Sequence, residues 1–263
     1  MKKIKLVILC VLLVLSAITF TACSQEAVQS EETVVKLGIN GDETEVWTHI
    51  KEELAKEDVK LEIVSFSDYT RPNLSLAEGE IDLNAFQHYA FFYKFIEEHD
   101  LDLTAIGETV IAPIGFYSSK IEDLSELQTG DKIAIPNDAT NGGRTLVLLQ
   151  TAGLIKIDPE AGDLPTLKDI IENPLELEII EVDASTTTRT LDDVAVATIN
   201  SQFAVDAGFY PSQDSIYLEP IDENSKPYIN IIAARTEDKD NPIYKKIVEL
   251  YQTDQVAEII NRI

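Results

Sequence analysis

Apolar and polar positions fall into distinct periods along this chain, and the periods predict strand, helix and strand in quick succession. Residues 34–39 (VVKLGI) form a short β-branched run that reads as a strand. Asp42, with Glu45 three residues on, reads as a helix cap. Val46, Ile50 and Leu54 then repeat at four-residue spacing, the apolar stripe of an amphipathic helix. Val59, Leu61 and Ile63 alternate with Lys60 and Glu62 and predict a second strand. This is a βαβ unit, and such units build mainly parallel sheets.

The alternation continues to the end. Ile81 to Leu83 predicts a short buried strand, and residues 89–98 an aromatic-rich helix. Residues 110–117 are apolar but interrupted by Pro113 and Gly115. A strand at 132–135 stops at Pro136-Asn137-Asp138, and a helix from about Arg144 to Ala152 ends at Gly153. Residues 167–171 lead into a break at Asn173-Pro174, before strands at 177–182 and 194–199. A last strand at 229–234 precedes terminal helices over 242–263. The two strand–helix groups flanking Pro113 and Gly115 predict two α/β lobes, with ligands expected in the crevice between them.

The first residues follow another logic. Lys2, Lys3 and Lys5 precede an apolar run from Leu6 to Phe20, interrupted only by Ser16 and Thr19. That is the length of an export signal and short for a membrane span. A permanent anchor is the alternative, and Phe20-Thr21-Ala22-Cys23 weighs against it because it resembles a bacterial lipobox, with Phe20 in place of the usual Leu. Residues 1–22 are therefore expected to be cleaved, Cys23 to carry lipid, and the polar residues 23–32 to act as a tether. The expected location is the outer face of a cell membrane, held by lipid and not by a helix.

Composition narrows the functions. The 263 residues hold 21 Lys and Arg against 47 Asp and Glu, a net charge of −26, which repels phosphate backbones and excludes nucleic-acid binding. Both cysteines, Cys10 and Cys23, lie at the N-terminus, so no disulfide framework or thiolate zinc site is available. His49 and His99 have no ligand-like spacing with His88, and no metal or cofactor is expected. A lipid-anchored hydrolase finds no support, since neither G-x-S-x-G nor H-E-x-x-H occurs.

Four segments carry a resemblance: Ser67-Asp68-Tyr69, residues 79–88 (GEIDLNAFQH), residues 136–144 (PNDATNGGR), and Leu191-Asp192-Asp193 through Ile199-Asn200. In this order they resemble the NlpA/MetQ family of methionine-binding lipoproteins, the substrate-binding components of methionine ABC importers. Ala139 stands where the family usually has Pro, and Phe91 and Phe203 where relatives often carry Tyr. The resemblance implies a type II periplasmic-binding-protein-like fold that closes on its ligand. Lobe 1 would comprise residues 33–112 with a return at about 223–263, and lobe 2 about 113–222. The implied partners are methionine and the permease and ATPase of an importer. D-methionine, a methionine-containing dipeptide or another apolar amino acid remain open as cargo.

A free amino acid presents a carboxylate, an ammonium and a side chain. Arg144, after Asn141-Gly142-Gly143, is the candidate for the carboxylate, helped by glycines that allow close approach and by amides at a helix start. An ordinary surface ion pair is the alternative from spacing alone. Asn141 and Asn200 offer donors and acceptors for either charged group, and Asn141 could instead cap a helix. Tyr69, Phe86 and Phe91 would form an aromatic wall suited to a thioether, though also to Leu or Phe. Phe92 and Phe95 read as helix core. His88 is assigned to the ligand by the resemblance.

Overall fold

The computed structural model describes residues 33–262, so the expected signal segment, Cys23 and the tether lie outside the described residues. Strand β1 (Thr33–Asn40) buries Val35, Leu37 and Ile39 beneath α1 (Glu45–Ala55), whose stripe Val46, Trp47, Ile50 and Leu54 packs on it. The cap of α1 is Thr44 and not Asp42, without a side-chain bond. After β2 (Val59–Phe66) comes α2 (Arg71–Ala77), a helix too short to show a period, which Pro72 starts. Next are β3 (Leu83–His88), α3 (Tyr89–His99) and β4 (Leu103–Ile111).

The chain then crosses to β5 (Gly115–Tyr117), β6 (Lys132–Pro136) and α4 (Ala139–Thr151). Short strands β7 (Lys156–Ile157) and β8 (Ile170–Glu172) pair with each other, and β9 (Glu178–Val182) and β10 (Val196–Ile199) follow. Helices α5 (Ser201–Asp206) and α6 (Pro211–Asp214) lead to β11 (Tyr217–Leu218). The chain returns through β12 (Ile229–Arg235) and ends in α7 (Pro242–Tyr251) and α8 (Asp254–Ile260).

Two five-stranded sheets result, ordered β2-β1-β3-β12-β4 and β11-β5-β10-β6-β9. Within each, strands linked through helices run parallel: β1 with β2 and β3, and β6 with β9 and β10. The expectation of mainly parallel sheets is corrected by β12 and β5, which pair antiparallel with both neighbours. Both strands sit at a crossing between sheets, where no crossover helix imposes a parallel course. Each sheet is covered on both faces. Leu37, Ile232 and Ile247 lie in one core of the first sheet, and Leu76, Phe92 and Ile231 in the other. Ile133, Ile135 and Leu146 fill one face of the second, and Ala134, Ala197, Ile199 and Phe203 the other. This is the two-lobed α/β architecture expected.

Two boundaries matter for the site. Strand β3 runs on to His88, beyond the predicted Leu83, so Phe86 and His88 belong to the strand instead of following it. Helix α4 starts at Ala139, five residues ahead of the predicted start, because Asp138 caps it by accepting from the Asn141 amide at 2.8 Å. A Cβ on Gly142 would lie 2.8 Å from the Pro136 carbonyl oxygen, so only glycine lets the first turn seat against β6. The close approach served by that glycine is to the protein's own backbone, not to a ligand.

Candidate functional site

The sheets are joined by Ala112–Ile114 and by the stretch from Glu219 to Tyr228. Beside these connections lies a small cleft of about 50 Å³. Tyr69, Phe86, His88, Phe91, Asn141, Arg144 and Asn200 all line it, although they come from separate segments of both sheets. Ala112, Gln202 and Asn230, which the sequence reading did not single out, line it as well.

One wall is aromatic. The Tyr69 ring lies 5.8 Å from Phe86, 5.7 Å from Phe91 and 4.9 Å from Phe203. Tyr69 follows β2, yet it packs on the second sheet's cluster of Ala197, Ile199 and Phe203, so the two lobes touch through it. Burial, with the Asp138 charge adding to it, pushes the Tyr69 hydroxyl far up, and it stays neutral. Phe92 and Phe95 are buried in helix α3, as its pattern predicts.

His88 ends β3 and caps α3: its Nδ1 accepts from the Phe91 amide at 3.1 Å. The ring proton therefore sits on Nε2, which donates to Asn141 Oδ1 at 3.3 Å. Burial, reinforced by the Arg144 charge, lowers the His88 pKa to about 3, so the ring is neutral. With both nitrogens engaged, His88 offers the cleft its ring rather than a free donor or acceptor. It also holds an edge-to-face contact with Tyr228 at 5.3 Å.

Asn141 is equally committed. Its Nδ2 donates to the Asp138 carboxylate at 3.0 and 3.1 Å, and its Oδ1 accepts from Asn200 Nδ2 at 2.8 Å. The cap of α4 is thus Asp138, and Asn141 orients Asn200. That orientation leaves Asn200 Oδ1 buried in the protein without a hydrogen-bond partner, on a residue that lines the cleft. A second amide cluster lies close by in the first lobe, where Asn73, Asn84 and Gln87 bond to one another at 2.7–2.9 Å.

Arg144 stands on the second turn of α4 with its side chain 2% exposed, so it is not a surface ion pair. Its Nε donates to Glu219 Oε1 at 2.8 Å, while Nη2 donates to Glu219 Oε2 and to the Ala112 carbonyl at 3.1 Å. The guanidinium lies 4.1 Å from the centre of the Tyr228 ring. Glu219 Oε2 also accepts from the Ile114 amide at 3.1 Å. The formal positive charge at the cleft is this guanidinium, and at the helix start Asp138 already takes the Asn141 amide. Nη1 carries none of these bonds. Glu219 and Tyr228 escape sequence reasoning because nothing distinguishes one glutamate among the chain's many, 75 residues away from Arg144.

Among the described residues there is no cluster of His, Cys, Asp and Glu able to hold a metal ion, and no helix long and apolar enough to cross a membrane.

The family model described as NlpA lipoprotein matches residues 35–263. The chain belongs to the NlpA lipoprotein family. It is 39% identical over 254 residues to the D-methionine-binding lipoprotein MetQ of Escherichia coli strain K12, covering 95% of this chain and 92% of that one. Among solved structures, a nutrient binding protein from Burkholderia cenocepacia bound to methionine superposes with a TM-score of 0.81 at 40% identity, over 86% of this chain and 95% of that one. The substrate binding protein of a methionine transporter from Streptococcus pneumoniae gives a TM-score of 0.82 at 39% identity, over 87% and 92%.

Proposed function

We propose that this protein is a non-enzymatic binding protein that captures methionine outside the cytoplasm and hands it to the permease and ATPase of an ABC importer. The observation that carries the reading is the cleft's three-part chemistry: an aromatic wall, a buried guanidinium, and the unpartnered acceptor Asn200 Oδ1. Arg144 receives the ligand carboxylate through the Nη1 edge, and Asn200 Oδ1 accepts from its ammonium. Tyr69, Phe86 and Phe91 hold the thioether, with His88 as a neutral ring beside it and Asn141 fixing the Asn200 amide. Residues 33–112 with about 223–263, and about 113–222, act as the bodies that close on the ligand, and closure presents both to the importer. Cys23 carries the lipid that holds the protein at the membrane.

Calorimetric titration with L-methionine and D-methionine tests this, after unfolding and refolding have stripped any bound ligand. Saturable binding at micromolar concentration or tighter is expected for at least one enantiomer. Folded protein that binds neither enantiomer, nor a methionine-containing dipeptide, below millimolar concentration would overturn it.

A further inference from the structure

Among the cleft-lining residues described, Arg144 is the one that carries a formal charge, since His88 is held neutral. Its partner Glu219 does not line the cleft, yet takes two guanidinium nitrogens and the Ile114 amide with a side chain only 12% exposed. A buried guanidinium without a counter-ion would be an indiscriminate anion trap, because charge attraction is strong where water is excluded. Paired with Glu219, its formal charge is cancelled before any ligand arrives. A plain carboxylate reaching Nη1 would place a second negative charge beside Glu219 with nothing to offset it. A zwitterion brings its own cation, and the cleft answers that cation with Asn200 Oδ1, whose amide is anchored through Asn141 to the Asp138 carboxylate.

We propose that Glu219 is a specificity-determining residue: it cancels the charge of Arg144, so that the cleft admits zwitterionic amino acids and turns away simple carboxylate anions. This rests on the amino-acid-binding reading above and extends it to ligand charge. It requires no contact between Glu219 and the ligand.

The test compares L-methionine with 4-(methylsulfanyl)butanoate, the same molecule without its ammonium group, on the wild type, Glu219→Gln and Glu219→Asp. Thermal melts establish folding, with Glu219→Met substituted if Glu219→Gln does not fold. Removing the charge is expected to shift relative affinity towards the butanoate at least tenfold. Glu219→Asp, which keeps the charge, should stay within about twofold of the wild-type preference. Equal losses for both ligands, or a shift in Glu219→Asp as large as in Glu219→Gln, would show a positioning role only and overturn the proposal. Acetate tests the charge cancellation without any amino acid: it should raise the melting temperature of Glu219→Gln and leave the wild type unmoved, whereas equal responses overturn the proposal. A wild type that ignores methionine while acetate separates the variants would refute the binding reading alone.

Discussion

Two buried polar clusters in this molecule are each built on a pair of asparagines but differ in how their hydrogen bonds close. In the first lobe, Asn73, Asn84 and Gln87 bond to one another so that all three carbonyl oxygens accept within the cluster. At the lobe junction, Asn141, Asn200 and His88 are buried to a similar degree, yet Asn200 Oδ1 has no partner. An unpaired buried acceptor costs about 1–3 kcal/mol. The first cluster is a closed unit that fixes the path of β3. The second retains a spare acceptor at the cleft, where a ligand's ammonium can fill it. Between these two clusters, hydrogen-bond satisfaction and not burial marks the difference; Asn40 Oδ1, which does not line this cleft, is unpartnered as well.

The charged neighbour of the second cluster gives the largest expected break. Arg144→Ala leaves the partly buried Glu219 without its cation, a loss of up to about 3–5 kcal/mol of stability. It also removes the proposed carboxylate anchor, and methionine affinity should fall by about a hundredfold or more. Urea unfolding and calorimetry read the two effects separately. Asn84→Leu and Asn200→Ala should divide in opposite senses. Opening the closed cluster should cost about 2–4 kcal/mol in urea melts while the folded fraction binds methionine as before. Asn200→Ala should change stability by less than about 1 kcal/mol and weaken methionine binding roughly tenfold to a hundredfold. If Asn200→Ala unfolds the protein and leaves affinity intact, the distinction between the clusters fails.

Acid sharpens the same contrast, since only the second cluster contains a histidine. The unfolded chain takes up the His88 proton near pH 6.5, whereas the folded protein resists it down to about 3. Over that window the unfolded state binds more protons, so stability falls as pH falls, by up to about 1.4 kcal/mol per pH unit. In His88→Asn, which retains a helix-capping side chain, the slope of melting temperature between pH 6.5 and 4 should be shallower than in the wild type. Equal slopes would mean that His88 is not held neutral.

The smallest effect is expected from a wedge. A Cβ on Gly41 would lie 2.2 Å from the Asp206 carboxylate across the lobe junction, and Gly41 has a φ of +73°. Gly41→Ala should lower methionine affinity a few-fold by opposing closure, beyond about 1 kcal/mol of backbone strain. Adding Asp206→Ser should recover the affinity but not the strain, as separate titration and melting measurements would show.

The strands and the faces they bury were legible where polar residues stay on the solvent side. Val35, Leu37 and Ile39 alternate, and Val46, Ile50 and Leu54 keep a helical stripe. Strand β3 defeats that logic because Asn84, Gln87 and His88 are buried and polar, each satisfied by partners that no local pattern reveals. Helix α4 hides its start behind Asn141-Gly142-Gly143, a sequence that reads as a break until Gly142 is seen against Pro136. The candidate site was legible as far as its motifs are local, from Tyr69 to Asn200. Glu219 and Tyr228 were not, because their meaning depends on a fold that brings both connections onto Arg144.

The most direct measurement is a crystal structure of the protein with L-methionine. The predicted complex has the ligand carboxylate on Arg144 Nη1 and its ammonium about 2.7–3.2 Å from Asn200 Oδ1, with the thioether against Tyr69, Phe86 and Phe91. A ligand bound elsewhere, or reversed so that its carboxylate faces the aromatic wall and Asn200 Oδ1 stays unpaired, would contradict it.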